Sequence, residues 1–342
     1  MKALVKRYAK PGIWMEEVPM PEVGVNDVLI KVKKAAICGT DMHMYNWDAW
    51  SQAHCVPPYI QGHEFVGTIV ETGPGVRNFK IGERVTAEGH IVCGQCRNCR
   101  RGMGHVCMHN LSVGIFGKDG AFAEYVTIPE SNVVRLRDEI SDDFAAIMDP
   151  FGNATHTALA FPLLGEDVLI TGAGLIGTMA AGICRYAGAK HIVVTDINPL
   201  RLDIAKKMGA TLTVNSAKGE TVKGAMEQLG IEGFDVGLEM SGAPSAFNEM
   251  VHAMYKGANI AQLGILPKDT QVDWSDVIFN ALTLKGITGR RMWETWYQME
   301  QMLLGGLDLS PVITHHFAFD DFQKGFDVMK SGQCGKVILE IS

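Results

Sequence analysis

The sequence predicts an α/β chain built from a β-rich domain and a doubly wound parallel-sheet domain. Three observations carry this reading. Short β-branched runs separated by Gly, Pro and Asn clusters fill the first 140 residues; from about Asp149 strand-like runs alternate with helical ones; and a glycine-rich turn stands where the first of those later strands meets its helix. The length of 342 residues agrees with two domains of roughly 150 residues each. A composition of 47% hydrophobic and 20% charged residues suits a globular chain and excludes disorder or a coiled coil.

In order along the chain, Val28–Val32, Phe65–Glu71, Ile81–Val85 and Ala123–Ile128 read as strands, with Gly73-Pro74-Gly75 as a turn. Asp167–Thr171 opens the second pattern and is followed by an Ala-, Ile- and Met-rich helix to Tyr186. His191–Asp196 is the next strand, and Leu200–Met208 is a helix that Gly209 stops. Phe234–Glu239 and Ala258–Gly264 extend the alternation, which implies a parallel sheet covered on both faces. A Trp- and Met-rich helix at Met292–Leu304 and a strand at Gly335–Ile341 complete the chain. The predicted domains are 1–148, 149–290 and a final 291–342 segment.

Charge and hydropathy remove several function classes. A formal net charge of −7 disfavours nucleic acid, whose phosphates need a basic face. The longest charge-free run, Val168–Cys184, is short and interrupted by Gly172, Gly174, Gly177 and Gly182, which argues against a membrane span. The start Met1-Lys2-Ala3-Leu4-Val5-Lys6-Arg7 lacks an apolar signal core, so a cytoplasmic location is expected.

Gly172-Ala173-Gly174-Leu175-Ile176-Gly177 is a G-x-G-x-x-G turn between a predicted strand and helix, and Asp196 ends the next strand 19 residues after Gly177. That context reads as a dinucleotide site: Gly172 for the tight turn, Gly174 for close approach of pyrophosphate to a helix N-terminus, Gly177 for helix–strand packing. Asp196 would hold the adenosine ribose and repel a 2′-phosphate, favouring NAD over NADP. A glycine-rich helix start that binds nothing is the alternative. Arg201 is either an adenine-stacking group or a solvated helix residue. Ile176 lies under the turn. Leu263, Gly264, Ile265, Ile287 and Thr288 fall at the carboxyl ends of predicted strands, where a cofactor binds and where core packing is the competing reading.

Of eight cysteines, Cys93, Cys96, Cys99 and Cys107 crowd into fifteen residues. Four thiolates from one loop suit a closed structural zinc, with an iron–sulfur cluster as the alternative of poorer spacing. Cys38, His63 and Glu64 offer a second donor set, the three protein ligands that leave a catalytic zinc one open position. Taken singly they also read as a buried thiol, a loop histidine and a solvated carboxylate.

The Gly62-His63-Glu64 triplet with Cys38, the four-cysteine loop and the glycine-rich turn resemble the zinc-dependent medium-chain dehydrogenase family along essentially the whole chain. Four narrower stretches, Ile37 to Asp48, Asp149-Pro150-Phe151-Gly152-Asn153, Glu239 to Pro244 and Trp293 to Tyr297, resemble its branch acting on the 3-hydroxyl of L-threonine. The resemblance implies a GroES-like catalytic domain carrying both zincs, a Rossmann domain binding NAD, a cleft between them for substrate and nicotinamide, and a homotetramer. It implies Cys38, His63 and Glu64 as catalytic-zinc ligands, and Cys93, Cys96, Cys99 and Cys107 as structural-zinc ligands. Asp149 stands where many relatives place a cysteine; it is open among direct ligand, water-bridged ligand and proton-relay member. Thr40 and His43 are implied as the relay, a plain loop histidine being the other reading of His43. Arg290 and His90 are candidates for the substrate carboxylate. Two rivals stay in play: a polyol or diol dehydrogenase of the same family, and a non-catalytic NAD-binding module.

Overall fold

In the computed structural model, which describes residues 1–342, the chain divides at Asp149/Pro150 and again at Val312/Ile313. The first unit takes Met1–Asp149 together with Ile313–Ser342, and the second takes Pro150–Val312. Residues 291–312 therefore sit with the second unit, whereas the sequence reading starts the final segment at 291.

The spine of the first unit is the strand Asp27–Ile37. It pairs antiparallel with Phe65–Thr72 on one side, and with both Tyr125–Pro129 and Lys336–Glu340 on the other. Arg84–Ala87, Val133–Arg135 and Ile313–Ala318 extend the same sheet to seven strands. Alternate residues Val28, Ile30 and Val32 point into one core with Phe65, Phe122, Phe326 and Leu339. Each such side chain contributes about 1.5–3 kcal/mol when fully buried. A second sheet joins Trp14–Glu17, Lys2–Lys6 and Tyr59–Ile60.

One reading changes here. Ile81–Glu83 is not strand: Gly82 takes φ +92°, and the strand begins only at Arg84. The stretch after Ile37, to which the sequence reading assigns no element, forms a pair of short helices, Gly39–Asn46 and Ala49–His54.

The second unit holds six parallel strands in spatial order Leu212–Asn215, His191–Asp196, Asp167–Thr171, Phe234–Glu239, Met254–Gln262, Thr283–Gly286. In chain order this is 3-2-1-4-5-6, the doubly wound pattern whose ligand crevice opens where the order reverses. The fifth strand ends at Gln262, so Leu263, Gly264 and Ile265 lie just beyond it, and Ile287 and Thr288 lie just past Gly286. The Trp-rich helix starts at Glu294 rather than Met292. No helix is long and apolar enough to cross a membrane.

Candidate functional site

Three neighbouring strand ends build the first site. Cys38 follows Ile37, the last residue of the central strand; Glu64 precedes Phe65, the first of its neighbour; Lys336 begins the other neighbour. The register pairs Ala35 with Phe65 and Ile37 with Val337, so all three arrive at one edge. Gly62 aims His63 and Glu64: it has φ +94°, and a Cβ there would stand 2.6 Å from the Phe122 ring and main-chain nitrogen. Only glycine fits that combination.

The ligating atoms of Cys38, His63 and Glu64 lie within 4.8 Å of one another, and His63 and Glu64 are buried. Cys38 is the N-cap of Gly39–Asn46, and its N–H donates to Asp41 Oδ2 at 2.9 Å. Its sulfur thus stands at the positive end of that helix's dipole. Asp41, itself fully buried, puts Oδ1 3.8 Å from His63 Nδ1. Burial works against a charged His63, but the negative charge of Asp41 and Cys38 outweighs it and pushes the imidazole up to about 10. Asp41 Oδ1, His63 Nδ1 and Glu64 Oε1 have no hydrogen-bond partner despite complete burial. Of these, Asp41 Oδ1 and His63 Nδ1 face each other, and Glu64 Oε1 is the orphan that a cation beside Cys38 and His63 would satisfy. The donor set of sulfur, imidazole and carboxylate fits zinc with one position open.

Asp149, in the first turn of Met148–Ala158, is near enough to act electrostatically on Asp41, His63 and Glu64, yet its carboxylate stands outside the 4.8 Å cluster. Thr40 and His43 share a face of Gly39–Asn46, three residues apart. Thr40 Oγ1 is 3.8 Å from Cys38 Sγ, and the exposed His43 engages Asp48 through Nδ1. Asp48 is itself fixed as an N-cap, accepting from Ser51 N–H at 3.0 Å.

Sequence reasoning missed Asp41, Asp48 and Lys336 as site residues. Lys336 is 1% exposed; its Nζ lies 2.6 Å from Glu64 Oε2 and donates to Ile37 O at 3.0 Å. Burial opposes its charge, but Glu64 and Cys38 hold the ammonium above its ordinary value.

The four-cysteine loop closes on itself. Neighbouring sulfurs are 3.5 Å (Cys96–Cys99, Cys93–Cys107) to 4.0 Å (Cys93–Cys99) apart. A tetrahedral ion with 2.3 Å bonds to sulfur needs separations of roughly 3.8 Å. Main-chain N–H groups of Cys93, Cys96, Cys99 and His109 point at these sulfurs. The Cys99 N–H in particular helps push Cys96 down to about 6, toward the thiolate that a metal requires. All eight cysteines are free of disulfides.

His90 keeps 30% of its side chain exposed and is held by buried Glu88, whose Oε1 is 2.7 Å from Nδ1. Arg290 in the second unit is 1% exposed, with its guanidinium over the Trp296 ring at 5.6 Å and Gly152 packed against its stem. Of the two, His90 is better placed to meet a ligand from solvent.

The candidate site for the adenosine half of a dinucleotide is built from second-unit residues. Gly172 has φ +90°, and a Cβ on it would meet Ser241 at 2.8 Å; one on Gly177 would strike Gly172 O at 1.9 Å. Gly174 caps the helix Leu175–Tyr186 with nothing within 4 Å of a Cβ position, so its side leaves room for a phosphate at the helix N-terminus. A cavity of about 440 Å³ is lined by Gly172, Gly174, Asp196, Arg201, Met240 and Ser241 among others. Asp196 accepts from Ala173 N–H at 2.7 Å and from Asn198 N–H at 2.8 Å, which fixes its carboxylate on the cavity wall. These features fit an adenosine half of NAD. Ile176 is half-buried and Gly177 buried; Ile287 is buried, Thr288 exposed, and Ile265 is 91% exposed. Buried Glu239, unpredicted as a site residue, gathers Ser241 N–H, Gly242 N–H and Gln262 Nε2 and so shapes the strand ends beside the cavity. Asp196→Ala is expected to raise KM for NAD about tenfold while improving use of NADP, measured by initial rates with each cofactor.

Comparison with known proteins agrees with this geometry. Residues 24–138 match the alcohol dehydrogenase GroES-like domain, and residues 176–305 match the zinc-binding dehydrogenase domain. An L-threonine 3-dehydrogenase of Shewanella sediminis is 59% identical over 340 residues, covering 99% of both chains; one from Alteromonas mediterranea is 59% identical over 341, again covering 99% of both. Among solved structures, the chain superposes on 2R,3R-butanediol dehydrogenase from Bacillus subtilis with TM-score 0.89, at 26% identity over 100% of this chain and 99% of that one. It superposes on galactitol-1-phosphate dehydrogenase from Escherichia coli with TM-score 0.90, at 26% identity over 100% of each. The GroES-like and Rossmann folds expected from sequence are thus both present, and the chain belongs to the zinc-dependent medium-chain dehydrogenases, in their L-threonine 3-dehydrogenase branch.

Proposed function

We propose that the chain oxidises the 3-hydroxyl of L-threonine with NAD, giving L-2-amino-3-oxobutanoate, NADH and a proton. The observation that carries it is the convergence of Cys38, His63 and Glu64 one strand end away from a helix presenting Thr40 and His43, in a chain 59% identical to L-threonine 3-dehydrogenases.

Cys38, His63 and Glu64 would hold a zinc, which when bound would supply Lewis-acid stabilisation to an alcohol oxygen. Gly172, Gly174 and Asp196 of the second unit would hold NAD, which would supply the hydride acceptor. The chain's own residues do the rest. Asp41 orients His63 and so keeps its ring facing Cys38 and Glu64. The Thr40 hydroxyl both accepts and donates, so it takes the proton released beside Cys38 and hands it one helical turn on to His43. Asp48 stabilises the imidazolium that results, and the exposure of His43 lets the proton reach water. Asp149 adds negative charge beside the cluster. His90, with part of its side chain open to solvent, is assigned to the substrate carboxylate; Arg290, buried over Trp296 in the second unit, is the weaker candidate for the same role. Cys93, Cys96, Cys99 and Cys107 would hold a second zinc whose four positions they fill, which would rigidify the loop and leave no site for chemistry.

The eight free thiols suit a reducing compartment such as the cytoplasm. A homotetramer, expected from the family resemblance, is checked by light scattering.

The deciding experiment is NADH absorbance with threonine, sorbitol and 2,3-butanediol in parallel, before and after chelation. Threonine is expected to give the highest kcat/KM, and chelation to abolish it. Preference for a polyol or diol overturns the substrate assignment. No turnover with any of them, on protein containing close to two zincs per chain, leaves the non-catalytic module.

A further inference from the structure

After Arg290, Lys6 is the largest fully buried side chain, and the reaction above has no use for it. It ends the strand Lys2–Lys6 and is 0% exposed. Its Nζ donates to Lys10 O at 2.7 Å and Gly12 O at 2.8 Å, with Tyr45 O at 3.5 Å. The indoles of Trp47 and Trp14 cover it, their centroids 5.1 and 5.9 Å away. Such burial is costly unless every donor finds an acceptor, and burial pushes this ammonium down to about 8.

What Lys6 grips is the Lys10–Gly12 loop, and through it and its longer contact to Tyr45 O it reaches the end of the helix that carries Thr40 and His43. Tyr45 O is one of the last carbonyls of Gly39–Asn46 and also accepts from Gly12 N–H at 2.8 Å. A cation at a helix C-terminus offsets the negative end of the dipole. Trp47 follows in the left-handed conformation at φ +55°, with its N–H turned back onto His43 O and Met44 O. That backbone is strained for a bulky residue and persists only when its surroundings hold it. The very next residue is Asp48, the carboxylate engaged with His43. The ammonium, the indole and the left-handed turn therefore act together with the Ser51 bonds of the next helix cap in setting where Asp48 stands relative to His43.

We propose that Lys6 is a positioning residue for the His43–Asp48 pair: it clamps the C-terminal end of Gly39–Asn46 and the Trp47 turn, and through them sets the register of proton transfer. The inference rests on the threonine dehydrogenase reading and on the relay role given to His43. It assigns Lys6 no contact with substrate, metal or cofactor.

The test is a double-mutant cycle in the full-length, zinc-loaded enzyme. Lys6→Met is expected to lower kcat for threonine about tenfold, with KM for NAD within twofold. In a His43→Asn background the same change is expected to cost less than twofold, because the pair it positions is already gone. An equal loss in both backgrounds marks a general structural effect and overturns the proposal. A second arm needs no substrate: amide hydrogen exchange. Peptides covering 39–48 are expected to exchange at least tenfold faster in Lys6→Met while the Cys93–Cys107 loop is unchanged; unaltered exchange across 39–48 overturns the clamp. Lys6→Gln carries the same expectations where Lys6→Met does not fold. Should the wild type fail to oxidise threonine, the functional reading falls, and the exchange arm still decides whether Lys6 holds the helix end.

Discussion

Replacing Cys38 with serine is expected to lower kcat for threonine about a thousandfold and to leave one zinc per chain where the parent carries two. The size follows from the chemistry. A Lewis acid on the alcohol oxygen contributes several kcal/mol to the transition state, and each 1.36 kcal/mol is tenfold in rate. The selectivity follows from the structure. Cys38 is half-buried at a helix N-terminus, and its N–H bond to Asp41 is made by the main chain and survives the substitution. Serine's hydroxyl has a far higher pKa than a thiol, so it cannot supply the thiolate. The four sulfurs of the other loop lie elsewhere in the first unit, so the zinc they would hold is expected to stay. Metal analysis and initial rates on the same preparation check this. A Cys38→Ser protein with two zincs and undiminished turnover would remove Cys38 from the reacting centre. Loss of both zincs would instead show that the two sites are coupled.

Legibility in the sequence tracked the range over which each feature is encoded. The four-cysteine loop is local: all its ligands fall within one stretch, and two-residue spacers leave little choice of geometry. The glycine-rich turn is local too, and the strands Asp167–Thr171, His191–Asp196 and Phe234–Glu239 have the bounds their apolar runs suggest. Gly39–Asn46 escaped notice because nothing in its pattern is helical: it buries only Asp41 and Met44 and shows no apolar stripe. Capping at both ends and contacts to distant residues hold it instead. Asp41 was hidden for the same reason, since a carboxylate at the third helical position reads as a routine cap. Lys336 lies 299 residues from the carbonyl it bonds, and only the pairing of its strand with Asp27–Ile37 brings it to Glu64. A lysine opening an apolar strand near a C-terminus gives no sign of that destination.

That buried ion pair sets the second large effect. Lys336→Met is expected to destabilise the first unit by about 3–5 kcal/mol, because removing one partner strands the other as an uncompensated buried charge. Both side chains are almost wholly excluded from water, at 1% and 0% exposure, so solvent cannot screen the loss. Methionine nearly matches lysine in length, which limits any cavity; the cost is electrostatic, together with the donor lost to Ile37 O. The ledger has a built-in control. With Glu64→Gln the charge is gone before Lys336 is changed, so the double variant is expected to lose less than the sum of the two single losses, by about 0.5–3 kcal/mol. Metal gives a second control. A divalent ion among Cys38, His63 and Glu64 is an alternative counter-charge for the stranded carboxylate, so the destabilisation is expected to be larger in chelated protein than in zinc-loaded protein. Denaturant melts of the four proteins, each with and without chelator, check both. Additive losses that ignore the metal would mean that Lys336 serves the strand and not the site.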